Sequence, residues 1–226
     1  MANLPRSQAR VRHTSDSIRP RSAVLIVGSA VFFAVRTLFE NAQLRYPALI
    51  DLLVEQVEGL QRPSSSHGSS WVMWTSASPQ NQGQAKFLEY AENALRWEVR
   101  RFSPVDSYMV EPASTLGLSD SRSATRLVRF DAGIAFALGR LADWDHVVVV
   151  TDSFGLADPM MRVSRVGNRP VLAFFGRVLD TRWQRVLNKQ DAAPVWIDLD
   201  DHVSSLFPDI VVTGHPVAGE QSDYIF

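Results

Sequence analysis

The sequence contains no cysteine. Disulfides and thiolate metal sites are therefore excluded, and the composition fits a reducing compartment such as the cytoplasm. Long apolar runs are missing as well: none reaches the roughly 18 residues of a membrane helix. The N-terminus carries arginine early with no apolar stretch behind it, so no secretory signal is expected. Net charge is −1 at pH 7, which leaves no global bias toward nucleic acid. The phosphate-binding G-x-x-x-x-G-K loop, a G-x-G-x-x-G turn after a strand and the G-x-S-x-G elbow are all absent. His13, His67, His146, His202 and His215 show no metal-ligand spacing.

What is present is ordinary globular material. The 226 residues, 46% apolar and 21% charged, suffice for one domain with a real core. Charge is uneven, however. Residues 1–22 hold Arg6, Arg10, Arg12, Arg19 and Arg21 against Asp16 alone and show no apolar periodicity. They read as a flexible basic arm, either solubilising or able to touch phosphates. Residues 212–226 read as a polar tail, leaving one domain over 23–211.

Inside that domain, apolar runs alternate with helical periodicity. Strands are expected at Ala23–Val27, Trp71–Trp74, Val147–Val150, Val171–Phe175 and Val195–Leu199, with a further one at Val99–Phe102 or Tyr108–Val110. Helices are expected over Val31–Leu44, Ala48–Leu60, Gln80–Trp97, Thr125–Asp143, Leu156–Val166 and Thr181–Leu187. Four consecutive valines at 147–150 mark a strand buried on both faces. The alternation predicts right-handed βαβ units: a three-layer α/β sandwich with a mainly parallel central sheet, Rossmann-like. Sites in such folds lie beyond the carboxyl ends of the strands.

Those ends carry Val27-Gly28-Ser29-Ala30, Val150-Thr151-Asp152-Ser153 and Phe175-Gly176-Arg177. Asp131 shares a helix face with Ile134, Ala135 and Leu138, and a carboxylate on an apolar face needs a partner or a metal. Its bland alternative is a salt bridge to Arg126 or Arg129. Asp158, before Pro159, is either a helix-start acid or a further ligand. The six tryptophans are read mainly as core, with base stacking as the alternative. Arg162, Arg165, Arg169, Arg177, Arg182 and Arg185 form either a solvated surface or a phosphate-binding face.

The segments RFDAGIAFAL, DHVVVVTDS and NRPVLAFFG, with the first strand's Gly-Ser turn and Phe-Phe, resemble the NYN branch of PIN-like ribonucleases. The likeness spans about residues 23–200. It implies Asp131 and Asp152 as catalytic metal ligands, with Asp158 as a looser third. It also implies Mg²⁺ or Mn²⁺ as cofactor and single-stranded RNA as substrate, cleaved by metal-activated water. Ser29, Arg129, Thr151, Ser153, Arg162 and Arg177 would then face phosphate. The first strand departs from the family: Val27 stands where an Asp is expected, and Ala30 where an Asn is. Losing one anionic ligand weakens metal binding by roughly several kcal/mol. The second expectation is therefore an inactive fold serving as an interaction module, meeting a protein partner or a second copy through its tails. Asp198-Leu199-Asp200-Asp201-His202 is similar to a dehalogenase-type nucleophile motif, but it lies at the wrong end of the chain. It reads instead as a strand followed by a cap.

Overall fold

The computed structural model describes residues 21–40, 42–63, 69–76, 81–102, 121–142, 144–165, 169–188 and 193–210, with backbone alone for 121–129 and 165. Most of the expected arm, the polar tail and the alternative strand at 108–110 lie outside these residues. In chain order the elements are β1 (Ser22–Val27), α1 (Gly28–Phe39), α2 (Tyr46–Gln56), β2 (Ser69–Ser76), α3 (Gln82–Asn93), β3 (Glu98–Phe102), α4 (Ser121–Arg140) and β4 (His146–Val150). There follow α5 (Ala157–Arg165), β5 (Val171–Phe174), α6 (Thr181–Leu187), β6 (Val195–Asp198) and α7 (Val203–Leu206). Short 3₁₀ turns at Phe154–Leu156, Gly176–Val178 and Leu199–His202 follow β4, β5 and β6.

The fold class expected from the sequence is the one observed. Six strands form one sheet in the order β3-β2-β1-β4-β5-β6. Every described pairing is parallel, so the sheet is more uniform than "mainly parallel". Gly28 of α1 packs on Met73 and Thr75, whereas Gly133 of α4 packs on Trp74. Side chains alternate along a strand, so α1 and α4 cover opposite faces of the sheet. The three layers follow from that alternation.

The core runs along the sheet's centre. All six residues of β1 and Val147–Val150 of β4 are buried. Each buried valine contributes roughly 1.5 kcal/mol through lost water contact. The second helix presents Leu49, Leu52 and Leu53 inward as its periodicity predicts, but it ends at Gln56 rather than Leu60: Val57 is an extended C-cap, and Val57 and Leu60 are buried from the turn that follows. In α3, Leu88 rather than Ala94 completes the inner face, because the helix ends before Ala94. Trp71, Trp74, Trp97 and Trp183 are core residues. Edge strand β3 exposes Glu98, Arg100 and Arg101, charges that discourage further strand pairing.

Some boundaries shift. Helix α1 begins at Gly28, directly off β1, and not at Val31. Pro47 stands in the first turn of α2, where its missing N–H is harmless. Ser22 belongs to β1, one residue earlier than expected, and Arg21 donates its backbone N–H to Asp145 at 2.7 Å. No helix among the described residues is long and apolar enough to cross a membrane.

Candidate functional site

The chain runs outward through β1, β2 and β3, then returns to the other side of β1 for β4, β5 and β6. Strands β1 and β4 thus flank the point where the direction reverses, and beyond the carboxyl ends at such a point is where parallel sheets of this kind carry their sites. The end of β4 supplies the chemistry.

The chain turns tightly after Val150. The Thr151 hydroxyl accepts the Ser153 backbone N–H at 3.1 Å. The Ser153 Oγ accepts the Gly155 N–H at 3.3 Å and caps the 3₁₀ turn that follows. The same hydroxyl donates to Asp131 Oδ2 at 2.5 Å. Asp131, which stands on α4, is thereby brought to within one residue of Asp152. Gly155 makes room for it: a Cβ there would lie 2.3 Å from Asp131 Oδ2. On the other side, Trp183 of α6 donates its Nε1–H to the Asp152 carbonyl at 3.3 Å.

The two carboxyls are poorly satisfied. Asp131 Oδ1 and Asp152 Oδ1 are both buried, and neither has a hydrogen-bond partner among the described residues. A buried oxygen left without a partner costs about 1–3 kcal/mol. The Asp131 carboxyl is raised to about 6, chiefly by burial, with the bond from Ser153 opposing the rise and the neighbouring Asp152 charge adding to it. Asp152 is also raised, chiefly by burial. A backbone hydrogen bond opposes that rise, and the negative charge of Asp180 adds to it. Two coupled acids held above their ordinary range in a strand-end crevice have the signature of a functional pair.

Their chemistry suits a divalent cation. Hard oxygen donors are what Mg²⁺ or Mn²⁺ prefers, and Mg²⁺ is commonly held by one or two carboxylates plus phosphate oxygens and water. The orphaned Oδ1 atoms are the donors such an ion would take up. No group of three or more His, Cys, Asp or Glu side chains among the described residues is placed to hold a metal ion. Val27 and Ala30 are buried in the core, so the end of β1 contributes no carboxylate.

No family model matches the chain. No curated protein matches it either. Among solved structures, it is similar to a protein of unknown function from Vibrio parahaemolyticus, with a TM-score of 0.57 and 15% identity. That match covers 84% of this chain and 98% of the other. At such identity the likeness shows a shared fold and nothing finer. Phytolacca americana UGT2, complexed with UDP-2-fluoroglucose and pterostilbene, aligns over 70% of this chain and 31% of its own, with a TM-score of 0.33 and 15% identity. That likeness carries no argument.

The other residues singled out from the sequence scatter. Ser29 is half-buried in the first turn of α1, at the carboxyl end of β1. The side chain of Arg129 lies outside the described residues. Asp158 does not join the acidic pair: it is exposed and forms an i,i+4 ion pair with Arg162 along α5, 3.0 Å apart. These two residues line a groove between α4 and α5, beside Ala135 and Gly139. Arg177 is paired with Asp200 at 2.8 Å and lies over the ring of Phe39. The segment from Asp198 onward is a strand and cap as expected: Asp198 Oδ1 accepts the N–H groups of Gly176 and Asp200, each at 2.9 Å.

The sequence does not mark Asp180 or Trp183 as neighbours of Asp152, yet Trp183 bonds its carbonyl and the charge of Asp180 acts on it, while Phe154 packs on Trp183. Trp183 is buried and meets the Phe154 ring edge-on at 5.6 Å. The available signal was Asp180-Thr181, a capping pair on the loop that leaves β5 toward the same crevice.

Proposed function

We propose that this domain binds single-stranded RNA and cleaves its phosphodiester bonds with the help of Mg²⁺ or Mn²⁺ at Asp131 and Asp152. The observation that carries this reading is the pair of buried, unpartnered carboxylate oxygens beside the switch point. When bound, the ion would offset phosphate charge and activate water for attack. The protein's own part is positional. Ser153 fixes the Asp131 carboxyl through Oδ2 and leaves Oδ1 for a ligand. The Thr151–Ser153 turn fixes the backbone on either side of Asp152, and Trp183 pins its carbonyl. Partial burial strengthens every charge interaction there, because water screens it less. The same reading places the protein in the cytoplasm.

The test is cleavage of end-labelled single-stranded RNA with Mn²⁺, beside EDTA and Asp152→Asn. Activity that both controls abolish supports the proposal. Intact RNA at high protein concentration overturns the catalytic part.

Val27 favours a second reading, a catalytically silent fold that serves as an interaction module for a protein partner or a second copy. RNA that stays intact while the protein sediments as a dimer or captures a partner would favour it.

A further inference from the structure

A crevice lined by two acids repels a polyanion, so a nucleic-acid strand needs a cation fixed beside them. Two arginines singled out from the sequence are engaged elsewhere. Arg162 pairs with Asp158 along α5, and Arg177 pairs with Asp200 over Phe39.

Arg182 is likewise paired with a carboxylate and set over a ring, and what distinguishes it is its tie to the acidic pair. It stands in the first turn of α6, and the next residue, Trp183, is the one bonded to the Asp152 carbonyl. Its guanidinium lies over the Phe154 ring, 4.6 Å from the centroid. Phe154 directly follows Ser153, the residue that holds Asp131. The guanidinium's orientation is fixed as well: Nε bonds Asp180 Oδ1 at 3.0 Å, and Nη2 bonds Asp180 Oδ2 at 2.5 Å. Nη1 takes no part in these bonds, and 61% of the side chain remains exposed. An arginine clamped on one edge by a carboxylate and on one face by an aromatic ring presents its remaining donors in a set plane. That geometry suits the oxygens of a phosphate.

We infer that Arg182 is the phosphate-binding residue of this crevice, with Asp180 and Phe154 as the residues that position it, and that its ligand is a backbone phosphodiester of a single strand. The inference rests on the nucleic-acid reading above. Asp180 takes a structural part in it: the arginine side chain stays 61% exposed in the pair, so Asp180 orients the guanidinium without locking it away from a ligand.

The experiment is binding of a fluorescein-labelled single-stranded RNA oligonucleotide, followed by anisotropy in EDTA, so that no cleavage enters. Wild type, Arg182→Ala, Arg182→Lys and Arg162→Ala are compared across a salt series. Arg182→Ala is expected to weaken binding several-fold and to reduce the slope of log affinity against log salt by about one. Arg182→Lys keeps the charge but loses the fork, so it should restore the slope and only part of the affinity. Arg162→Ala should match wild type. If Arg182→Ala binds like wild type with the same slope, this inference falls while the nucleic-acid reading stands. If wild type binds RNA neither in EDTA nor with Ca²⁺ in its place, both fall. Melting curves of the variants, expected within a few degrees of wild type, separate lost binding from lost folding.

Discussion

The hydroxyl of Ser153 donates to Asp131 Oδ2 at 2.5 Å, tying the end of β4 to the middle of α4. That one bond decides which oxygen of Asp131 is occupied and which is left open. It also opposes the upward push of burial on the Asp131 carboxyl. Ser153→Ala should therefore raise the Asp131 pKa above its present value of about 6. The acidic limb of any pH–rate profile would move to higher pH with it. A carboxyl-carbon NMR titration of the variant checks this, and an unmoved or lower pKa would refute it.

Asp131 makes the fold sensitive to pH in an unusual direction. Its carboxyl stands at about 6 in the folded chain against 3.8 as the ordinary value. The folded state thus binds the proton more tightly than the unfolded chain. Its stabilising contribution is full below about pH 4 and is lost as pH rises through 6. The cost at pH 7.5 is roughly 2–3 kcal/mol. Asp131→Asn should raise Tm by several degrees at pH 7.5, with little change at pH 4, while abolishing activity. Calorimetry at the two pH values is the measurement.

A divalent ion that takes up the two orphaned oxygens binds the folded state alone, so it should stabilise the protein by mass action. Millimolar Mn²⁺ is expected to raise the Tm of wild type, and EDTA to reverse the rise. Asp152→Asn should blunt it. Equal shifts in wild type and variant would place the ion somewhere else.

Two glycines separate site geometry from helix propensity. A Cβ on Gly155 would meet Asp131 Oδ2 at 2.3 Å, whereas one on Gly139 meets nothing within 4 Å. Gly155→Ala should cost about 1–3 kcal/mol and displace the Asp131 carboxyl. Gly139→Ala, inside α4, should stabilise by roughly 0.5–1 kcal/mol. Urea denaturation of both proteins gives the comparison.

Asp158 stands apart from the acidic pair. Its ion pair with Arg162 is exposed on both sides. Asp158→Asn should change stability by less than about 1 kcal/mol and leave metal-induced stabilisation at the wild-type level. A loss of the Mn²⁺ shift in this variant would restore Asp158 to the site.

Much of the fold was legible because its signals are local. Four consecutive valines mark Val147–Val150 as a doubly buried strand, and the spacing of Leu49, Leu52 and Leu53 marks one helix face, although the helix stops at Gln56, short of Val57 and Leu60. Thr181–Leu187 was bounded correctly, since an aspartate cap and an amphipathic turn lie in adjacent residues. Asp131 and Asp152 were also singled out from the chain alone, one as a carboxylate on an apolar face, the other as the residue beyond a buried strand. What separated Asp152's neighbours from the rest was not local. Asp158 is six residues along the chain from Asp152 and pairs elsewhere, while Asp180 and Trp183 come from beyond β5 to act on it. Sequence determined the order of strands and helices and where Asp131 and Asp152 stand on them, because burial and periodicity act over a few residues. Tertiary structure decided which groups share the crevice, because the order of strands in the sheet, not distance along the chain, sets which loops meet at its edge.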